Sequence, residues 1–250
     1  MVRGKRVLVT GASGGVGAAT CVALAREGAA LIGTYLRGER RAAELQLQLG
    51  SRTRMVRADL ATRGGREMVL EACEDGLDGV VLAAGVARHG PFVEQPEDTD
   101  GDRRDPLIMQ LRTNLEAPLL LLRGLLSRSL LAEGASVVVV GSNLAHLGVA
   151  GTVGYAAAKA GIEGAVRALA AEFGPSGIRV NAVAPGLLLT EMTRERNHDE
   201  LAAIARGTPL RRLGEAADVV GPILFLLSAD AGFVTGQVLC VDGGASMAGT

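Results

Sequence analysis

The sequence predicts a single α/β domain over residues 1–250, built on a doubly wound parallel sheet of about seven strands with helices on both faces. Three observations carry that reading. Short aliphatic, β-branched runs alternate with longer stretches of helical spacing from one end of the chain to the other, the pattern of parallel strands joined by crossover helices. The first run leads directly into a glycine-rich loop and then a helix. Gly11, Gly85, Ser142 and Pro185 each stand at or just beyond the end of a predicted strand, along the sheet edge where open α/β folds bind ligands.

Taken in order, Val7-Leu8-Val9 is a short buried-strand signal, and Thr10-Gly11-Ala12-Ser13-Gly14-Gly15-Val16-Gly17 follows it before a helix over 18–26. Glycines permit the tight turn and close backbone approach to a pyrophosphate, whose charge a helix N-terminus favours. The spacing is Gly-x-x-x-Gly-x-Gly rather than the commoner Gly-x-Gly-x-x-Gly, so Gly11, Ser13, Gly14, Gly15, Val16 and Gly17 are read as a dinucleotide cradle from their context as much as from their spacing. A second strand is expected at 30–35. No acid follows it to accept from a ribose 2′-hydroxyl; Arg37 follows instead, with Arg40 and Arg41 on the next helix. A guanidinium suits a 2′-phosphate, so NADP(H) is preferred over NAD(H).

The next repeat places a strand at 52–57, a helix at 62–74 and a strand at 80–82. Asp59 stands just past a strand end, either to accept from an adenine amino group or to cap the following helix. Ala83-Ala84-Gly85 is small enough to let a flat cofactor approach. Residues 94–105 hold six acids, two arginines and Pro96 and are expected to be an exposed connection. Helical spacing then runs over 107–131, with Asn114 among apolar neighbours, either a hydrogen-bonded structural amide or the orienter of a buried water. A strand at 135–141, a helix at 154–173 and a strand at 178–183 follow. After Pro185-Gly186, the polar stretch 187–209 is long enough to be a substrate lid. A helix at 215–228 and a strand at 238–241 complete the chain.

Composition removes other function classes. Apolar residues make up 48% of the chain with only four Phe, two Tyr and no Trp, which implies an aliphatic core. Basic and acidic residues number 26 and 27, so no excess charge draws a nucleic acid or membrane surface. Cys21, Cys73 and Cys240 form no paired motif and the three histidines are scattered, so no metal site is expected. No signal segment or 18-residue apolar span is evident, and the expectation is a soluble cytoplasmic protein.

The chemistry concentrates at Tyr155 and Lys159. Four residues apart on a helix, they share one face. A phenol is protonated at neutral pH, and a neighbouring ammonium is expected to lower its pKa, so the pair reads as a general acid/base. Ser142, at the end of Val137-Val138-Val139-Val140, brings a hydroxyl to the same edge.

These residues, with Asp59-Leu60, Asn181-Ala182-Val183-Ala184-Pro185-Gly186, Thr190-Glu191-Met192 and Val241-Asp242-Gly243-Gly244, resemble the short-chain dehydrogenases/reductases, and within them the 3-oxoacyl-(acyl-carrier-protein) reductases. The resemblance spans essentially the whole chain. It implies that Tyr155 passes a proton to the substrate oxygen, Ser142 hydrogen-bonds that oxygen, Lys159 tunes the tyrosine and holds the nicotinamide ribose, and Asn114 holds a water in a proton relay. It further implies cofactor contacts from Leu60, Ala84, Gly85, Pro185, Gly186, the Leu188 backbone and Thr190, a keto substrate that is a small molecule or a thioester, and a homotetramer.

Three positions depart from the family pattern. Leu82-Ala83-Ala84-Gly85 replaces Asn-Asn-Ala-Gly, which removes an amide and is expected to loosen that loop or weaken cofactor binding. Gly14 stands where many NADP-using members carry a base. Glu133 and Ser176 replace basic residues associated with carrier-protein docking, leaving Arg128, Arg167 and Arg179 as the nearby cations. An acyl carrier protein is therefore a weaker partner expectation than the keto substrate, and another small ketone or secondary alcohol is the alternative. Retention of Ser142, Tyr155 and Lys159 argues against a non-catalytic dinucleotide sensor.

Overall fold

The computed structural model describes residues 2–95, 105–193 and 196–247. The expected exposed connection over 94–105 falls mostly outside them. The chain runs β1 (Arg6–Thr10), α1 (Gly15–Arg26), β2 (Ala30–Tyr35), α2 (Glu39–Leu49), β3 (Thr53–Arg57), α3 (Arg63–Ala72) and β4 (Leu77–Leu82). It continues through α4 (Pro106–Leu111), α5 (Ala117–Ser127), β5 (Leu131–Val140), α6 (Val153–Phe173) and β6 (Arg179–Pro185). The last part is β7 (Leu188–Leu189), α7 (His198–Gly207), β8 (Gly214–Glu215), α8 (Ala216–Leu227) and β9 (Val238–Val241).

Seven strands form one sheet in the order β3-β2-β1-β4-β5-β6-β9, every neighbouring pair parallel. The predicted doubly wound, Rossmann-like α/β fold is therefore what the chain adopts. Strands buried on both faces need aliphatic residues in succession rather than in alternation, and Val7, Leu8 and Val9 are all fully buried. One face packs Leu121, Leu125, Ile162 and Val166 of α5 and α6 on the sheet. The other packs Cys21, Leu24, Val219 and Ile223 of α1 and α8. The direction of winding reverses between β1 and β4, and the site opens at the carboxyl ends of those two strands.

Two departures from the sequence reading have physical causes. The single helix expected over 107–131 is divided into α4, a π-helical turn at Arg112–Glu116, and α5. It also ends early, because Ser129 takes φ of 53° and Leu131 already pairs with Leu77 of β4. Leu130 and Leu131 continue the apolar run, but Leu130 leads into the next strand and Leu131 opens it, and burial rather than helical periodicity accounts for both. The stretch expected as a polar lid over 187–209 contains β7, which pairs with β8, and the helix α7. Asn197 caps α7 by accepting from the Asp199 amide, and the helix buries none of its residues.

Candidate active site

The site begins at the end of β1. Gly11 has φ of 66°, and a β-carbon there would lie 2.8 Å from Ala84 Cα, so only glycine lets the first loop lie against the loop after β4. A β-carbon on Gly17 would approach the Gly11 carbonyl to 2.2 Å, which seats α1 directly on the loop. Gly14 is the N-cap of α1, and no side chain caps it. The helix start therefore presents amides and the positive end of its dipole to the cleft, a setting suited to a pyrophosphate.

The neighbouring loop, 83–89, is held from two sides. Thr10 Oγ1, buried at the end of β1, accepts from the Ala83 and Ala84 amides at 3.0 and 3.1 Å. On the other side, Asn114 donates to the Val86 carbonyl at 2.7 Å and accepts from the Val86 amide at 2.8 Å. Gln110, one helical turn earlier and also buried, accepts from the Arg88 amide at 2.8 Å. The loosening expected from the missing family amide is thus offset by a threonine and two carboxamides that all bond to main chain.

Ser142 follows β5 and is buried, with its Oγ accepting from the Leu144 amide at 3.2 Å. Tyr155 and Lys159 lie on the first two turns of α6, and the lysine Nζ is 5.7 Å from the tyrosine ring centroid. That Nζ is buried and donates to the Val140 carbonyl at 2.7 Å. Proton affinities here differ from the sequence expectation. Burial raises the Tyr155 pKa, and a hydrogen bond with Ser142 opposes the rise. Burial lowers the Lys159 pKa to about 8. The rise prevails because removing a phenolate from water costs more than the Ser142 hydrogen bond returns, and the lowering expected from the ammonium is not what sets this phenol.

At the end of the cleft beside β2, Ser13 Oγ donates to the Arg37 carbonyl at 3.0 Å and the Arg37 side chain is exposed. Asp59 accepts from the Ala61 amide at 3.0 Å. Thr62, not Asp59, caps α3, accepting from the Gly65 amide. At the other rim, Thr193 Oγ1 accepts from the Thr190 amide and donates toward the carbonyls of Leu188 and Thr190. This shapes the turn after β7. The His89 ring stands over Tyr155 with centroids 6.2 Å apart.

Gly11, Ser13, Gly14, Gly15, Val16, Gly17, Arg37, Asp59, Leu60, Ala84, Gly85, Ser142, Tyr155, Lys159, Pro185, Gly186, Leu188 and Thr190 all line one cleft of about 1200 Å³. Of the predicted residues, Asn114 lies behind the wall, its amide spent on Val86. Sequence reasoning missed Thr10 as a hydrogen-bonding anchor, along with Gln110, Thr193 and His89. Gln110 was within reach of it: four residues before Asn114, it occupies the same helical face.

The family described as "Enoyl-(Acyl carrier protein) reductase" matches residues 11–246. The chain belongs to the short-chain dehydrogenases/reductases. It is 36% identical to a 3-oxoacyl-(acyl-carrier-protein) reductase FabG of Pseudomonas aeruginosa, over 98% of this chain and 99% of that one. It is 34% identical to the corresponding Escherichia coli protein, over 98% of each. Among solved structures, a dehydrogenase/reductase from Sinorhizobium meliloti 1021 superposes with a TM-score of 0.86 at 33% identity, covering 97% of this chain and 95% of that one. A putative gluconate dehydrogenase from Agrobacterium tumefaciens superposes with a TM-score of 0.88 at 30% identity, covering 98% and 97%. Membership makes this short-chain dehydrogenase/reductase an NAD(P)-dependent oxidoreductase, and the uncapped start of α1 beside Gly11 and Gly17 fits the diphosphate such a cofactor carries.

Proposed function

We propose that the protein is an NADPH-dependent ketoreductase acting on the keto group of a 3-oxoacyl thioester or a similar β-keto compound. The observation that carries the proposal is the convergence of Ser142, Tyr155 and buried Lys159 at the end of a cleft whose other end is the glycine loop. When bound, the dinucleotide supplies hydride. Tyr155, its pKa raised by burial, keeps its proton at neutral pH and delivers it from the phenol oxygen to the substrate oxygen. Ser142, a hydrogen-bonding partner of the phenol, orients that oxygen. Lys159 holds the ribose hydroxyls, and its ammonium, fixed on the Val140 carbonyl, favours the phenolate left after transfer. Asn114 fixes the loop wall through Val86; a water held near it completes the relay to solvent.

NADPH is preferred on the strength of the cations after β2, where no acid awaits a ribose hydroxyl. Residues 187–209 serve as the lid, and α7, with no buried residue, is the part free to move. The chain assembles as a homotetramer, a reading supported by exposed Phe225, Phe233 and Leu239 beside the edge strand β9.

Reduction of another small ketone, not bound to a carrier protein, is the second reading, and a specific observation favours it. Glu133 and Ser176 are exposed, Arg128 pairs with Glu67, and Arg179 donates to the carbonyls of Leu226 and Ser228. Two of the three cations available for an acidic carrier protein are therefore already engaged. A matrix of NADPH and NADH against 3-oxoacyl thioesters on carrier protein, the same acyl groups on a small thiol, and simple ketones separates the two. Preference in kcat/KM for thioesters supports the first reading, and preference for unactivated ketones supports the second.

A further inference from the structure

Glu191, on the turn after β7, forms an ion pair with Arg41 of α2, and so joins the lid side of the cleft to its adenosine side. Both residues line the cleft. The Arg41 side chain is 42% exposed against 89% for its neighbour Arg40, which pairs with Glu44 one turn along the same helix. Its Nε is buried and has no hydrogen-bond partner among the described residues, so the carboxylate satisfies only part of a guanidinium that has five donors. Thr190, adjacent to Glu191, sits so close to the glycine loop that a β-carbon on Gly15 would meet its Cγ2 at 2.7 Å. The ion pair and this contact hold the same segment across the same end of the cleft.

We infer that Glu191 is an internal occupant of the position where Arg41 meets the 2′-phosphate of NADPH, so that cofactor selection is set by competition between carboxylate and phosphate for one guanidinium. This rests on the dinucleotide reading above. The phosphate brings up to twice the charge of the carboxylate and three acceptor oxygens to a forked donor that is only partly satisfied. It displaces Glu191 and releases the turn bearing Thr190. NADH has no such group and leaves the ion pair closed. The two cofactors thus leave the base of the lid in different states.

Calorimetric titration of NADPH and NADH into wild type, Glu191→Gln, Arg41→Ala and the double variant tests this without turnover. Glu191→Gln is expected to tighten NADPH by about tenfold, the gain when a site closed about nine-tenths of the time is opened, and to change NADH by less than about twofold. Arg41→Ala is expected to weaken NADPH by at least about tenfold and to make Glu191→Gln silent when the two are combined. Unchanged NADH binding reports that each variant is folded. NADPH binding that is indifferent to Glu191→Gln would overturn the inference while leaving the dinucleotide reading intact. So would a loss of NADH affinity in that variant, the mark of a carboxylate that holds ribose hydroxyls. Wild type that binds neither dinucleotide would overturn the reading itself and the inference with it.

Discussion

Tyr155 and Lys159 share a helical face, but burial shifts their proton affinities in opposite directions. Lys159 has a pKa of about 8 against an ordinary 10.5. Between those values the unfolded chain binds more protons than the folded one, so stability rises with pH across that window. The destabilisation is therefore complete below about pH 8 and disappears as pH approaches 10.5. Lys159→Met should unfold at higher temperature than wild type at pH 7, by a margin of about 1–2 kcal/mol after the orphaned Val140 carbonyl is counted, and that margin should shrink above pH 8. Thermal melts across pH 7–10.5 check the sign, and the same variant should be inactive. Tyr155→Phe should lose about 10³-fold in kcat with dinucleotide affinity unchanged, because it removes a proton donor and little else. That the two side chains meet on α6 was legible because spacing four apart fixes a shared face. The direction of the tyrosine shift was not, since it depends on burial by residues distant in sequence.

At the scale of elements, the loop after β4 shows what a motif comparison leaves out. The replaced family amide suggested a loose wall, yet Thr10 from β1 supports it from beneath. Thr10→Val is expected to leave two main-chain amides unsatisfied, lowering stability by about 1–3 kcal/mol and weakening cofactor binding. Chemical denaturation and titration measure both effects. Thr10 was visible as a residue, but its partners lie over seventy positions away, beyond any local pattern. The stretch 107–131 was misjudged for a related reason: continuous apolar character does not separate a helix from the buried strand that follows it, and the π turn around Asn114 leaves no mark in hydrophobic spacing. The lid gives an element-scale prediction of its own. Amide exchange over β7 and α7 should slow when cofactor and substrate analogue are added together, and unchanged exchange there would remove the lid from the account.

For the whole molecule, alternation of strand and helix was enough to predict the sheet and the edge at which the cleft opens, since a parallel sheet wound in both directions leaves one crevice. What the alternation could not supply was the cross-cleft pairing of Arg41 with Glu191, which joins residues 150 positions apart. Light scattering should give a mass four times that of the chain; a monomer would exclude the proposed assembly. The account as a whole rests on hydride from a nicotinamide and a proton from Tyr155 meeting at one carbonyl. The most direct measurement uses NADPH deuterated at the transferred C4 position with a 3-oxoacyl thioester on a small thiol. The account predicts deuterium on the carbinol carbon of the product in step with NADPH consumed, and near-complete loss of that product in Tyr155→Phe. Cofactor oxidation without deuterium transfer to that carbon, or a Tyr155→Phe variant as fast as wild type, would contradict it.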